Sequence, residues 1–293
     1  MRGQHDIALT IAEILIELTS PLSAAELGIE QRLGPFRGAT ATPLHRVALR
    51  WRESAREPQP RGTVIYDPGS VWRMYRNGQS FDAAIAYGQP GEPVQVQAVL
   101  HANAAWDNLA LTEHRWRDNW QSLLTIGAGE LILRTAILFS GGLVFHAAGV
   151  DDNGRGLVFI GHSGAGKSTQ AGIWCAAPGV VAMNDDRIAV RVRGDAATCY
   201  GTPWGGTANI ARNHSAPLRA LIILEQAPVN ELQPLTPAVA APLLIARAFL
   251  PYWDAVLLQR AFATLDTLLK HTPVYRLRCR PESAVISLVR AAL

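Results

Sequence analysis

The segment 161–168, Gly-His-Ser-Gly-Ala-Gly-Lys-Ser, constrains the fold more than any other part of the chain. It matches the pattern G-x-x-x-x-G-K-S/T in full, follows the apolar run 157–160 and precedes a helix-like stretch. Its glycines let the backbone curl so that successive N–H groups point inward, and the following helix adds the positive end of its dipole. The motif therefore predicts a strand, a phosphate-binding loop and a helix in succession. A glycine-rich turn with a surface lysine is the alternative interpretation.

Composition makes a chance match to this pattern rare. Lys167 and Lys270 are the two lysines among 27 basic residues, and arginine supplies the rest. With 48% hydrophobic and 17% charged residues, the 293-residue chain can form one large domain or two ordinary ones, which excludes intrinsic disorder. The net charge is +3 and the arginines are scattered, so the chain has no basic arm of the kind that binds nucleic acid. We expect no nucleic-acid partner.

Neither the cysteines nor the apolar runs predict secretion or membrane insertion. Cys175, Cys199 and Cys279 have no metal-binding or redox spacing and form no disulfide framework, which favours a reducing compartment. The apolar run 7–18 contains two glutamates, so it predicts an amphipathic helix rather than a signal peptide. The run 123–145 contains a glutamate and an arginine, which argue against a membrane span. We expect a cytoplasmic protein without a membrane partner.

Residues 1–140 are predicted to form a β-rich α+β region. Its expected helices are the amphipathic helix at 7–18 and a long helix at 118–139, where apolar residues recur at spacings of three and four. Between them, β-branched runs separated by glycines predict an antiparallel sheet with strands at 63–67, 71–75, 81–87 and 94–100. From its position alone, this region is a candidate for recognising the substrate.

Residues 141–293 are predicted to form an α/β domain, because strands and helices alternate along them. The expected strands are 143–150, 157–160, 180–183, 188–192, 218–224 and 274–279. The expected helices are 166–175, 237–249, 254–270 and 282–292. The fold class is therefore α/β, with the phosphate-binding loop in the C-terminal domain and a β-rich α+β region before it.

A pair of aspartates, Asp185 and Asp186, follows the apolar strand 180–183. Two adjacent carboxylates repel each other unless a cation or a shared proton relieves them. One can bind Mg²⁺ while the other accepts a proton from an attacking hydroxyl, which is the arrangement of a kinase, whereas a GTPase positions a water instead. The alternative is a turn that caps the strand. In the loop, we expect Lys167 to bridge phosphate oxygens and Ser168 to place its hydroxyl on Mg²⁺.

Three segments resemble HPr kinase/phosphorylase, an enzyme that phosphorylates a serine of a small phosphocarrier protein with Mg-ATP. They are the strand 145–150 (Phe-His-Ala-Ala-Gly-Val), the loop with Ser163 and Gly164, and the aspartate pair. The resemblance covers 143–193 well and 217–226 weakly. It implies a P-loop core shared with phosphoenolpyruvate carboxykinase, and a homo-oligomer.

The same resemblance assigns roles to individual residues. Asp185 matches the general base, and His146 matches the strand histidine beside the site, for which a buried core histidine is the alternative. The predicted catalytic residues are Asp185, Lys167 and His146, and the predicted metal ligands are Ser168 and Asp186. The predicted nucleotide-binding residues are Gly161, Ser163, Gly164, Ala165, Gly166, Lys167, Ser168 and Thr169.

A closer resemblance is to HPr-kinase-like proteins encoded with ribosomal peptide biosynthesis, notably that of lasso peptides. It rests on His-Ala-Ala-Gly-Val at 146–150, the loop extended by Thr169, Asn-Asp-Asp at 184–186 and Gly-Thr-Pro-Trp-Gly-Gly-Thr at 201–207. Some of these proteins phosphorylate a serine of a precursor peptide. Residues 203–206 form either a flexible lip over an acceptor peptide, with Trp204 as a stacking surface, or a structural turn.

The sequence therefore predicts an ATP- and Mg²⁺-dependent kinase that acts on a serine of a peptide or protein. A small-molecule hydroxyl kinase of the same fold, a nucleotide-dependent switch that transfers nothing, and HPr kinase itself are the alternatives. The aspartate pair disfavours the switch, because a protein that only binds nucleotide needs one metal carboxylate. HPr kinase itself is disfavoured because Thr169 replaces its usual glutamate and its Gly-Arg-Asn-Leu-Ala segment is absent.

Overall fold

The computed structural model describes residues 3–87, 95–115 and 120–293. The chain divides into two compact units: Met1–Phe139 with Pro251–Ala255, and Ser140–Leu250 with Val256–Leu293. Both units are rich in strands and contain helices, so the fold is mixed α/β. Val94, the expected first residue of one strand, and residues 118–119 of the expected long helix lie outside the described residues.

The first unit is built on an eight-stranded sheet. In chain order its strands are β1 (His5–Ile11), β2 (Ile14–Ser20), β3 (His45–Ser54), β4 (Thr63–Tyr66), β5 (Trp72–Asn77), β6 (Ser80–Tyr87), β7 (Gln95–Ala102) and β8 (Asn108–His114). Across the sheet the order is β1-β2-β3-β8-β7-β6-β5-β4, and only the β2–β3 and β3–β8 pairs of this described sheet are parallel. The short helix α1 (Glu30–Leu33) and the 3-10 turn Gly34–Phe36 precede β3. The antiparallel sheet expected between 63 and 100 is confirmed as β4 to β7.

The prediction of an amphipathic helix at 7–18 is wrong, because this segment forms the hairpin of β1 and β2. Ala12 and Glu13 make its two-residue turn with φ of 48° and 61°, the left-handed conformation that such turns require. On β1, every second residue from Ile7 is buried, and Leu9 pairs with Ile16 on the neighbouring strand. Two apolar strands of period two, joined by a two-residue turn, produce spacings that resemble those of a helix.

The length predicted for the helix at 118–139 is also wrong. Its described part consists of the 3-10 turn Leu123–Thr125, the helix α2 (Gly127–Ala136) and the 3-10 turn Ile137–Ser140. Ile126 separates the first turn from α2 with φ −131° and ψ −106°, which lie outside the helical region. Ser122 caps the first turn, because its side chain accepts a hydrogen bond from Leu124 N at 3.2 Å.

A buried carboxyl group joins this first turn to the sheet. Glu113 on β8 is fully buried and accepts hydrogen bonds from Trp51 Nε1 at 2.6 Å, Leu123 N at 2.6 Å and Ser122 Oγ at 3.1 Å. Burial raises the pKa of Glu113 to about 7, although these three donors act in the opposite direction. The first unit therefore contains a carboxyl group that titrates near neutral pH.

The second unit contains the strands that carry the glycine-rich loop. In chain order they are β9 (Gly142–Asp152), β10 (Gly156–Ile160), β11 (Val180–Asn184), β12 (Arg187–Arg193), β13 (Ala196–Gly201), β14 (Ser215–Gln226), β15 (Glu231–Leu235) and β16 (Val274–Cys279). One run of neighbours is β11-β9-β10-β14-β16-β15, in which β10 and β16 are both parallel to β14. β12 and β13 connect the first half of β9 to the first residues of β14.

Four helices follow the first strands of this unit along the chain, and the first and the last of them pack against the buried strands. They are α3 (Lys167–Cys175), α4 (Pro237–Ile245), α5 (Ala255–His271) and α6 (Ala284–Arg290). All five residues of β10 are buried, as in a strand with neighbours on both edges and packing on both faces. Phe159 of β10 packs against Trp174 of α3 with ring centroids 5.8 Å apart, and Val285 of α6 belongs to the same core. No helix in the described ranges is long and apolar enough to span a bilayer.

The elements expected in 141–293 are confirmed, with ends that differ by a few residues. The expected strand 274–279 coincides with β16, whereas the helix expected at 237–249 ends at Ile245. The sequence patterns miss two strands, β13, which is rich in small residues, and β15, which contains Pro234. β15 is an edge strand, where a sheet tolerates proline.

Replacing Gly201 at the end of β13 is expected to destabilise the second unit. A Cβ there would lie 2.1 Å from Arg212 O and 2.8 Å from Met183 O, and both are backbone atoms. We expect Gly201→Ala to lower the free energy of unfolding by about 1–3 kcal/mol in urea denaturation. The control is Gly172→Ala in α3, where no atom lies within 4 Å and alanine should stabilise the helix by about 0.5–1 kcal/mol. Equal effects of the two substitutions would contradict this account.

Candidate active site

The loop 161–166 connects the end of β10 to the start of α3. Gly164 and Gly166 have φ of +81° and +96°, in the left-handed region that favours glycine. A Cβ on Gly161 would lie 2.7 Å from the Cβ of Ala165. The loop therefore curls tightly back on itself and leads into the N-terminus of the helix, where N–H groups attract anions.

Lys167, the first residue of α3, turns its side chain back over the loop. Its Nζ donates hydrogen bonds to the carbonyl oxygens of Gly161 and His162, both at 3.2 Å, and the residue is 7% exposed. Burial lowers the pKa of Lys167, an effect that Asp186 opposes and Arg247 reinforces. The ammonium group is therefore held at the loop by neutral carbonyls, with one carboxylate within electrostatic range.

Asp186 lies between two basic groups. His146 Nε2 is 2.9 Å from its Oδ1, and the guanidinium of Arg187 forms an ion pair with its Oδ2. The hydrogen bond with His146 lowers the pKa of Asp186, burial opposes this effect, and Arg187 and Lys167 lower the pKa further. The Asp186 side chain is therefore a carboxylate at neutral pH.

Asp185 has a different environment from its neighbour. Its side chain is almost fully buried and accepts three backbone hydrogen bonds: Gly206 N at 2.8 Å and Ile210 N at 3.1 Å bind Oδ1, and Ala208 N at 2.8 Å binds Oδ2. A Cβ on Gly206 would lie 2.9 Å from Asp185 Oδ2, so a larger residue would push the carboxylate aside. The segment 205–210, which we call the Asp185 loop, is folded around this carboxylate.

Asn184, to which the sequence patterns assign no role, fixes the turn that bears both aspartates. It is fully buried, and its Oδ1 accepts hydrogen bonds from the N–H groups of Asp186 and Arg187 at 2.7 Å each. Its Nδ2 donates to the carbonyl oxygens of Thr202 at 2.8 Å and Trp204 at 3.2 Å. Trp204 is itself buried, so its ring does not form an exposed stacking surface.

These residues surround one pocket of about 550 Å³, which we call the site pocket. Most of the predicted site residues line it: His146, Ser163, Gly164, Gly166, Lys167, Ser168, Thr169, Asp185 and Asp186. Gly206, from the segment considered as a lip over the acceptor, and Thr207, to which the sequence patterns assign no role, also line it. Gly161 and Ala165 lie in the loop but are not part of the described wall.

The sequence that forms this pocket matches a known family. Residues 115–285, more than half of the chain, match the model of the SynChlorMet cassette protein ScmC. The chain belongs to the ScmC family. The matched range contains α2, the strands β9 to β16 and every residue that lines the site pocket.

Among solved structures, this ScmC chain is similar to the Hpr(Ser) kinase/phosphatase from Coxiella burnetii. The two share 11% sequence identity, and the match covers 51% of this chain and 95% of that chain with a TM-score of 0.31. A similarity this low leaves the fold to be described from the strands and helices of the ScmC chain itself. No curated protein matches the sequence.

The ScmC chain has a further arginine beside the site that the sequence patterns do not single out. Arg247 O accepts a hydrogen bond from His146 N at 2.8 Å, within a short antiparallel bridge between Phe145 and Ala248. On the other edge of β9, Arg187 of β12 is the register partner of His146. Opposed residues of antiparallel strands project to the same face. Two arginines from distant parts of the sequence therefore flank this histidine.

The residues of the ScmC chain fit a Mg²⁺ ion that is bound mainly by phosphate. Mg²⁺ is commonly held by one or two carboxylates together with substrate phosphates. Asp186 and Ser168 line the same pocket and supply a carboxylate and a hydroxyl. Across residues 3–87, 95–115 and 120–293, no group of three or more His, Cys, Asp or Glu side chains could hold a metal without such a ligand.

Proposed function

We propose that this protein is an ATP- and Mg²⁺-dependent kinase that transfers the γ-phosphoryl group to a serine hydroxyl of a peptide or protein, such as a lasso-type precursor peptide. The observation that carries the proposal is the site pocket, which is lined both by Lys167 with its glycine-rich loop and by Asp185, Asp186 and His146. A glycine-rich loop alone would fit any nucleotide-binding protein. The aspartate pair adds a group that can accept a proton from an attacking hydroxyl.

In the proposed reaction, the serine oxygen forms a bond to the γ-phosphorus, and the bond from that phosphorus to the β–γ bridging oxygen breaks. The hydroxyl proton moves to Asp185 and passes later to water, and ADP leaves. The loop N–H groups and Lys167 hold the phosphate oxygens on which charge develops. A Mg²⁺ ion at Ser168 and Asp186 would neutralise part of that charge.

The different environments of the two aspartates support this division of roles. Asp186 is kept ionised by His146 and Arg187, which suits a metal ligand. Asp185 is held by the backbone of the Asp185 loop, so its lone pairs have a fixed direction. Its Oδ1 accepts two of these hydrogen bonds and Oδ2 accepts one, so we assign proton transfer to Oδ2.

Intact-mass spectrometry tests the proposed function directly. The purified protein is incubated with Mg-ATP and candidate precursor peptides, and we expect one peptide to gain the mass of a single phosphoryl group on a serine. The matched control is Lys167→Met, which keeps the length of the side chain, removes its charge and should leave the peptide unmodified. Binding of Mg-ATP without any modified peptide would contradict the proposal and favour the small-molecule kinase or the nucleotide-dependent switch.

We propose further that the first unit recognises the acceptor peptide. A groove of about 610 Å³ on its sheet is lined by the charged residues Arg50, Arg52, Glu57, Arg61 and Asp82 and by His101. Asp82 is 1% exposed and is bound by both Arg61 and His101, so its charge is compensated. Arg50 and Arg52 are exposed on β3 and have no ion pair with a carboxylate in the described ranges. The groove is positively charged overall, which favours an acidic segment of the peptide.

Replacing both exposed arginines, in the double variant Arg50→Gln with Arg52→Gln, is expected to raise the KM for the acceptor peptide. Exposed ion pairs contribute roughly 0.2–1 kcal/mol each, so the loss of two corresponds to an increase of about fivefold. The kcat and the KM for Mg-ATP should stay unchanged in steady-state kinetics. The control is Arg46→Gln, on the same strand, whose partner Glu17 lies outside the groove. A fall in kcat with an unchanged peptide KM would argue against recognition by this groove.

A further inference from the structure

A second cavity, of about 600 Å³, lies beside the glycine-rich loop, and no role has been given to it so far. Three segments form its wall: residues 164–166, 169 and 170 of the loop and the first turn of α3, residues 226–228 at the end of β14, and residues 279–281 at the end of β16. We call it the loop-side cavity. Its volume falls in the range of small-molecule sites, roughly 300–1,000 Å³.

The sheet topology explains why these three segments meet. β10 and β16 both run parallel to β14, so the carboxyl ends of all three strands lie at one edge of the sheet. The register pairs Gln226, at the end of β14, with Cys279, at the end of β16. Crevices at the carboxyl ends of parallel strands are the usual ligand sites of open α/β sheets. The position alone therefore favours a ligand.

The loop-side cavity adjoins the site pocket along the glycine-rich loop. Gly164, Gly166 and Thr169 line both of them, so the glycine-rich loop forms a shared wall. A molecule whose phosphates are bound by this loop therefore has both cavities within reach.

The chemical character of the two sites differs. The site pocket contains two carboxylates, whereas Arg280 is the one charged residue on the described wall of the loop-side cavity. The remaining wall consists of small, apolar or amide-bearing residues. A neutral aromatic group fits such a wall, because a guanidinium can stack on its face.

A buried amide adds a preference for a ligand with N–H groups. Gln170 of α3 is 3% exposed, and its Nε2 donates to Cys279 Sγ at 3.3 Å. Its Oε1 has no hydrogen-bond partner among the described residues. A buried acceptor without a donor is unfavourable, so a donor brought by a ligand at this wall would be stabilising.

We propose that the loop-side cavity binds the nucleoside part of a nucleoside triphosphate whose phosphates lie on the glycine-rich loop. This inference rests on the proposed function, because it requires that the loop binds the phosphates of a nucleotide. Beyond the proposed function, the inference specifies on which side of the loop the base and the ribose lie and which residues contact them. The acceptor hydroxyl then approaches from the site pocket, on the side of the aspartates.

Filling the cavity tests this inference. Ala227 is half-buried in its wall, and its backbone N–H bonds to Cys279 O at 3.2 Å, a bond that a larger side chain leaves in place. We expect Ala227→Phe to weaken the binding of Mg-ATP at least tenfold in isothermal titration calorimetry and to leave the affinity for magnesium tripolyphosphate unchanged. The matched control is Ala263→Phe on the exposed face of α5, which should change neither affinity.

The outcomes separate this inference from the proposed function. If wild-type protein binds Mg-ATP no more tightly than tripolyphosphate, or if Ala227→Phe binds Mg-ATP as wild type does, the inference is overturned. If wild type binds neither compound, the proposed function fails and the inference fails with it. Should Ala227→Phe not fold, Arg280→Ala serves in its place, with an expected loss of at least threefold in Mg-ATP affinity and none for tripolyphosphate. Equal affinities of Arg280→Ala and wild type for Mg-ATP would then overturn the inference.

Discussion

Asp185→Asn is expected to lower the rate of phosphoryl transfer by about 10²–10⁴-fold, the usual contribution of a positioned general base. The affinity for Mg-ATP should stay within about threefold of wild type, because the phosphates are held by the loop and Lys167. An asparagine keeps one acceptor oxygen, which can still receive the N–H groups of Gly206 and Ile210. Single-turnover kinetics with saturating Mg-ATP, together with calorimetric binding, measure both quantities.

The same substitution also removes a structural contact, and a second variant separates the two effects. Ala208 N donates to Asp185 Oδ2 at 2.8 Å, and Ala208→Pro removes that donor while the carboxylate remains. If Asp185 acts as the base, Ala208→Pro should retain transfer within about tenfold of wild type. Equal losses in Asp185→Asn and Ala208→Pro would show that Asp185 acts only by holding the Asp185 loop.

The free energy of unfolding is expected to fall by about 3 kcal/mol between pH 4.5 and pH 7 because of Glu113 alone. Burial raises the pKa of Glu113 from 4.5 to about 7 in the folded chain. In this window the folded protein keeps a proton that the unfolded chain has released, so stability decreases as the pH rises. The contribution is fully present below pH 4.5 and is lost as the pH reaches about 7.

Urea denaturation across pH 4 to 8 measures this effect when wild type is compared with Glu113→Gln, which cannot titrate. The difference in unfolding free energy between the two proteins should change by about 3 kcal/mol across the window. Asp82, Asp152 and Asp186 have lowered pKa values, so their stabilising contributions are fully present above pH 3.8 and are lost only below it. These contributions are therefore constant across the window and cancel in the comparison. Parallel stability curves for the two proteins would contradict the raised pKa of Glu113.

The second unit could be predicted from the sequence in more detail than the first. The motif at 161–168 fixes a strand before it and a helix after it, and β10 and α3 are found there. The sequence of segment 7–18 does not reveal its hairpin, because Ala12 and Glu13 adopt positive φ without being glycine. The usual sequence marker of a two-residue hairpin turn, Asn-Gly or Asp-Gly, is absent from this segment.

Within the site, the charged residues that belong to a motif can be predicted from the sequence. Residues that reach the site through backbone pairing of distant segments cannot. Lys167 and the aspartate pair stand in recognisable local contexts. Arg247 reaches the site only because its backbone pairs with that of His146, and no local pattern encodes that pairing. Asn184 was visible in the sequence as the residue before the pair. Its function depends on Thr202 and Trp204, which approach it only in the folded chain.

The turn at 184–186 limits which insertions and deletions the site can accommodate. Asn184 holds the turn itself and the backbone at 202 and 204, Asp185 holds the segment 205–210, and Asp186 pairs with His146. Each of the three consecutive residues is thus committed to a different partner. Inserting or deleting one residue here would assign every side chain to the wrong partner, even if an aspartate pair were preserved. The spacing of the turn is therefore a functional requirement in its own right, separate from the acidity of its residues.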